Sequence, residues 1–112
     1  MKLAYVSLIV SSEECIDFYK KLGFKEQNRI NRPNAHDEVI FLSNESIGLK
    51  IYKDSTHPKR NRNPEALGLR YLCFEVDNLN QFENIEIKED NEGKFIFLVD
   101  PDGQPIQIRE KK

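Results

Sequence analysis

At 112 residues the chain is sized for one domain, and 38% hydrophobic against 32% charged residues gives that domain a modest core under a well-solvated surface. A net charge of −2 supplies no field to gather nucleic acid or an anionic membrane, so neither is expected as a partner. No apolar run approaches the roughly 18 residues of a membrane span, and residues 3–10 are short, alternating and without a cleavage-like site, so a cytoplasmic protein is expected.

The first stretch, residues 3–10, alternates. Ala4, Val6, Leu8 and Val10 share one face, suited to packing under a helix; Leu3, Tyr5, Ser7 and Ile9 share the other, suited to an open or ligand-facing surface. Ser11-x-x-Glu14 reads as a capping box, and Cys15, Ile16, Phe18, Tyr19 and Leu22 keep helical spacing up to Gly23, a good stop. Strands are expected at residues 24–30, 38–42 and 47–53, with Asn31-Arg32-Pro33-Asn34 and Asn44-Glu45 as turns. In the last of these strands Lys50 and Tyr52 lie opposite Leu49 and Ile51. Residues 54–68 have no apolar period; Lys59, Arg60 and Arg62 stand between Pro58 and Pro64, and the segment reads as a solvated linker whose basic cluster is also suited to an anion.

At residue 69 the pattern begins again. Leu3, Tyr5 and Val10 match Leu69, Tyr71 and Val76 at an offset of 66, and Leu49-Lys50-Ile51 matches Ile106-Gln107-Ile108 at an offset of 57. Such internal similarity predicts a duplicated unit. In the second copy Tyr71, Cys73 and Glu75 take the open face, residues 77–83 are expected to form a short helix, and residues 85–88, 94–99 and 105–110 are expected to be strands. Asp100-Pro101-Asp102-Gly103 is a strong turn signal before the last of them. Each copy therefore reads strand, helix, strand, strand, strand. Cys15 and Cys73 show no metal-type spacing and read as reduced thiols.

Phe18-Tyr19-Lys20-Lys21-Leu22-Gly23-Phe24, Pro64-Glu65-Ala66-Leu67-Gly68-Leu69-Arg70 and Asp100-Pro101-Asp102-Gly103 together resemble the vicinal oxygen chelate superfamily, which includes glyoxalase I, bleomycin-resistance proteins, fosfomycin-modifying enzymes and extradiol dioxygenases. The resemblance spans essentially the whole chain. It implies an α+β fold of two βαβββ modules forming an eight-stranded open cup, with the helices on the outer face. Module one would run over about residues 1–53 and module two over about residues 69–112, within one domain of residues 1–112. It also implies a homodimer.

In metal-dependent members of that superfamily four inward side chains hold one divalent ion. Their positions fall here on Tyr5, Lys50, Tyr71 and Gln107, so none of the usual His or Glu ligands is present. An ammonium has no lone pair, and neutral phenols and an amide oxygen are weak donors for zinc-like ions. The expectation is no metal and no other cofactor. His36 and His57 lie in loop-like segments and read as solvent-exposed side chains.

Alternation turns Tyr5, Ser7, Lys50, Tyr52, Tyr71, Cys73, Glu75 and Gln107 inward, a mixed aromatic and hydrogen-bonding lining of the kind small-molecule sites have. The leading reading is a glyoxalase/bleomycin-resistance-like module that binds a small organic molecule without metal, through Tyr5, Ser7, Lys50, Tyr52, Tyr71, Glu75 and Gln107. The alternative is a lyase or other enzyme of the superfamily. It would either recruit a metal or use Lys50 with a tyrosine such as Tyr71 as an acid/base pair, which requires burial to depress the Lys50 pKa. The third is an interaction protein whose cup is filled by its own side chains.

Overall fold

A computed structural model describes residues 1–61 and 63–112; Arg62 of the basic cluster lies outside the described residues. The chain forms two compact units, Met1–Lys59 and Arg60–Lys112. The division falls within the segment read as a linker.

In the first unit, β1 (Val6–Val10) leads into α1 (Glu13–Lys21), followed by β2 (Lys25–Arg32), a 3₁₀ turn at Pro33–Ala35, β3 (Asp37–Ser43) and β4 (Gly48–Lys53). The helix places Glu13 and Glu14 in its first turn and Lys20 and Lys21 in its last, each charge at the helix end that favours it. Cys15, Ile16 and Tyr19 are fully buried along one stripe. Ser12 is the N-cap, in extended conformation and without a side-chain cap bond, one residue beyond the Ser11 expected to open the helix. Its other end closes as predicted. Gly23, at φ +107°, lets its own amide reach Lys20 O at 3.0 Å and that of Phe24 reach Tyr19 O at 3.2 Å.

The sheet order is β1-β4-β3-β2, with β1 parallel to β4 and the other pairs antiparallel. Val39, Ile40, Leu42, Leu49 and Ile51 are buried with the helix stripe, and β2 is an exposed edge with a bulge between Glu26 and Asn28.

The second unit repeats the sheet as β5-β8-β7-β6, from β5 (Leu72–Val76), β6 (Lys88–Asp90), β7 (Gly93–Val99) and β8 (Pro105–Glu110). The offsets read in the sequence are the register of the pairing. Val6 faces Leu49 in one sheet, and Leu72, 66 residues after Val6, faces Ile106, 57 residues after Leu49, in the other.

Two expectations fail in this unit. Residues 77–83 form turns and bends instead of a helix. Asn78 Oδ1 accepts from the Asn80 amide at 3.1 Å, Asn84 takes a left-handed φ of +61°, and the Leu79 amide donates to Glu110 Oε2 at 3.1 Å. Asparagine side chains that bond locally compete with the helical ladder. The strand expected at residues 85–88 forms instead at Lys88–Asp90, because only there does it find a partner, Gly93–Phe95 of β7. No helix among the described residues is long and apolar enough to cross a membrane.

Candidate functional site

Each unit carries its own part of the predicted lining. On β1 and β5 the burial alternates as read: Val6, Leu8 and Val10 are covered while Ser7 and Ile9 are exposed, and Leu72, Phe74 and Val76 are half-buried while Cys73 and Glu75 are exposed. Tyr5 and Tyr71 each stand one residue before their strands rather than within them. The register would set Tyr71 opposite Pro105, which has no N–H to offer, and Tyr5 opposite Gly48, the first residue of β4.

Across the first sheet one row of pairs runs Ser7, Lys50, Phe41; the equivalent row of the second runs Cys73, Gln107, Phe97. The next row is Ile9, Tyr52, Val39 in the first unit and Glu75, Arg109, Phe95 in the second. The duplication thus keeps a phenylalanine beside Lys50 in one unit and beside Gln107 in the other. It differs two residues on, where Tyr52 in one unit answers to Arg109 in the other.

In the first unit the structure gathers Tyr5, Ser7, Lys50 and Tyr52, and adds Phe41 and Arg32. Lys50 Nζ lies 5.6 Å from the centroid of the Tyr5 ring, 5.7 Å from that of Phe41 and 5.5 Å from that of Tyr52. Arg32 lies 5.1 Å from the Tyr52 centroid, with Asp37 holding its guanidinium by two bonds of 2.7 and 2.6 Å. Ser7 Oγ donates to Lys50 O at 3.0 Å, tying β1 to β4. The Lys50 pKa is raised, first by its polar contact with Tyr52 and then by the Tyr5 phenol. The acid/base reading requires a shift in the other direction. His57 Nδ1 faces Asp54 Oδ2 at 3.7 Å and lines a cavity of about 380 Å³ together with Ser7 and Tyr52, while His36 caps the 3₁₀ turn at φ +59°.

In the second unit Tyr71 and Gln107 line one cavity of about 540 Å³. Gln107 is 4% exposed, and its Oε1 accepts from Arg109 Nε at 3.0 Å. Arg109 spends its two terminal nitrogens on Asp90, at 3.1 and 2.7 Å, and lies 4.7 Å from the Phe95 ring centroid. Tyr71 meets Phe97 edge to face at 5.3 Å. Asp90 is held below the ordinary carboxylate range by the Arg109 bonds. Partial desolvation raises the Cys73 thiol although the residue is exposed on the strand, which keeps it protonated rather than nucleophilic. Glu75 lies exposed on β5, paired in register with Arg109.

Lys50 is an ammonium among aromatic rings and Gln107 an amide whose oxygen already accepts from an arginine, so neither side chain is a strong donor for a divalent ion. Among the described residues no three His, Cys, Asp or Glu side chains cluster as such a site requires.

The sequence alone does not single out Phe41, Phe97 or Arg109. The pairings Phe41 with Lys50 and Phe97 with Gln107 depend on hairpin register, which the strand pattern alone does not set. Arg109 does carry a signal there, since it follows Gln107 by two residues on the same face of a strand.

No family model matches the chain. The uncharacterized protein YwkD of Bacillus subtilis is 30% identical, over 96% of this chain and 94% of that protein. The crystal structure of a glyoxalase family protein from Enterococcus faecalis superimposes with a TM-score of 0.85 at 33% identity, covering 97% of both chains. That of SMU.1112c does so with a TM-score of 0.87 at 31% identity, covering 98% of both.

Proposed function

The chain belongs to the glyoxalase family of the vicinal oxygen chelate superfamily, and on that footing we propose that it is a metal-independent module that binds a small organic molecule. The observation that carries this reading is Lys50. At a position where metal-binding relatives are expected to place a carboxylate, the chain sets an ammonium within 5.7 Å of three aromatic centroids. A divalent ion beside it meets repulsion instead of a donor. The Gln107 position adds a second loss of charge of the same sign.

Two observations weigh against the other readings. A lysine base works near neutral pH only with a lowered pKa, and the tyrosines around Lys50 raise it. A protein whose site is filled by its own side chains has no use for the cavity beside Tyr71 and Gln107. A homodimer belongs to the same proposal, and light scattering on the purified protein tests it.

The test of the binding function is a thermal-shift series on the full chain with nickel, zinc and a panel of planar organic compounds. Stabilisation by organic compounds, without any by the metals, is the expected result. Stabilisation by nickel or zinc at low excess over protein overturns the reading.

A further inference from the structure

We propose that the cavity of the second unit takes a planar ligand bearing a carboxylate or similar oxyanion, oriented by the amide of Gln107. The proposal deepens the binding function above and rests on it. The cavity, about 540 Å³, lies within the range that drug-sized ligands occupy. Its apolar surface comes from Tyr71, Phe97, Val99 and Pro105, and Phe97 and Val99 remain 38% and 45% exposed.

The orientation of Gln107 is chemically determined. Only an oxygen can accept from Arg109 Nε–H, so the bond of 3.0 Å assigns Oε1 to the arginine. The NH₂ end then points its donors elsewhere, and Gln107 itself lines the cavity. Where the resemblance places a cation ligand, the chain holds a hydrogen-bond donor. Arg109 is a positioning residue here: with its terminal nitrogens spent on Asp90, it acts through the amide it holds.

Among the described residues three arginines and three carboxylates line the cavity, and they pair unevenly. Arg70 pairs through Nε with Glu65 at 2.9 Å. Arg60 donates only to the carbonyls of Leu69 and Arg70, at 3.0 and 3.2 Å, so among the described residues no carboxylate neutralises it. Arg60 is thus the lining cation whose charge is left for a ligand, and guanidinium recognises carboxylates well. Glu92 also lines the cavity and works against an anion. It therefore supplies a control of opposite sign.

The experiment is calorimetric titration of the full chain with 2-naphthoate and with its neutral counterpart 2-naphthamide. Naphthoate is expected to bind at least tenfold more tightly. Arg60→Gln and Gln107→Glu should each weaken naphthoate at least fivefold while leaving naphthamide within twofold, and Glu92→Gln should tighten naphthoate alone. Gln107→Glu retains an acceptor for Arg109, and an unchanged melting temperature verifies the fold. Equal affinity for the two probes, or naphthoate binding indifferent to Arg60→Gln and Gln107→Glu, overturns the oxyanion assignment. If neutral or cationic planar compounds bind where naphthoate does not, the assignment fails and the binding function stands. If no organic compound binds, both fail.

Discussion

Lys50 and Tyr52 project from the same face of β4, and the lysine ammonium stands 5.5 Å from the centre of the tyrosine ring. Tyr5 and Phe41 also turn their rings toward it, and the negative quadrupoles of these π-faces favour the charged form. The Tyr52 phenol is the largest cause of the raised Lys50 pKa. Tyr52→Phe keeps the ring and removes the hydroxyl, so it should lower the Lys50 pKa toward the ordinary lysine value. A pH titration of the Lys50 side-chain carbon by NMR measures this. The sign for stability follows: a raised lysine contributes below its unfolded pKa and loses that contribution as pH rises through the folded value. The loss therefore belongs above about pH 10.5, the ordinary lysine value, and not near neutrality. A pKa that rises or stays fixed in Tyr52→Phe contradicts the account.

Arg29 joins α1 to the sheet. Its terminal nitrogens reach Glu13 at 3.0 and 2.7 Å, and Nε and Nη2 reach Glu26 at 3.1 and 2.9 Å. Lys20 adds a pair to Glu26 at 2.9 Å, and Lys53 bridges Glu38 at 2.7 Å and Glu13 at 3.4 Å. Hydrogen bonds from Arg29 are the largest cause of the lowered pKa of both Glu13 and Glu26. Solvent reaches the network, with Glu13 45% exposed, so each pair is worth less than its geometry suggests. Arg29→Met should cost about 1 kcal/mol at pH 7. Depressed carboxylates contribute above their unfolded pKa and lose that contribution as pH falls through the folded one. The gap between wild type and Arg29→Met should therefore close below about pH 4.5, the ordinary glutamate value. Urea unfolding across that range checks it.

Asp100 shapes the turn between β7 and β8 and is 4% exposed. Its Oδ1 accepts from the amides of Asp102 and Gln104, both at 2.9 Å, while Gly103 takes φ +92°. Asp100→Ala leaves two amides without their acceptor and should cost about 2–3 kcal/mol. Asp100→Asn retains an acceptor oxygen and should cost less than half as much. Equal losses in the two variants would mean that charge, not hydrogen bonding, holds the turn.

Most of the sheet architecture was legible because it rests on period-two alternation and on a repeat. Tyr5 and Tyr71 marked the repeat, and the pairings Val6 with Leu49 and Leu72 with Ile106 realise its offsets. Leu79 and Phe82 have helical spacing behind Asp77, but the Asn78 side chain bonds the Asn80 amide and Asn84 turns left-handed, and these local conformations prevail over the helix. Spacing alone does not weigh the two. The site was half legible: alternation put Lys50 and Gln107 on the open faces. What they meet there is set across strands, where Phe41, Phe97 and Asp90 arrive by pairing and by folding of the chain.

The absent helix leaves the second unit with a different cover, and Leu79 provides its anchor. Leu79 is 2% exposed, and its amide is fixed by Glu110 on β8 at 3.1 Å. A single turn follows, with the Phe82 amide donating to Leu79 O at 3.1 Å. Leu79→Ala removes a buried side chain and should cost about 2–5 kcal/mol, the upper end if the turns cannot close over the space. Glu110→Ala should act differently. It frees a part-buried amide while leaving the apolar contacts, so the loss should be about 1–3 kcal/mol. Amide hydrogen exchange should then speed at Leu79 and Phe82 far more than at Ile96 or Ile108 in the adjoining strands. If exchange accelerates equally at all four, the segment and the sheet open together, and Leu79 is part of the sheet's own core instead of a separate latch upon it.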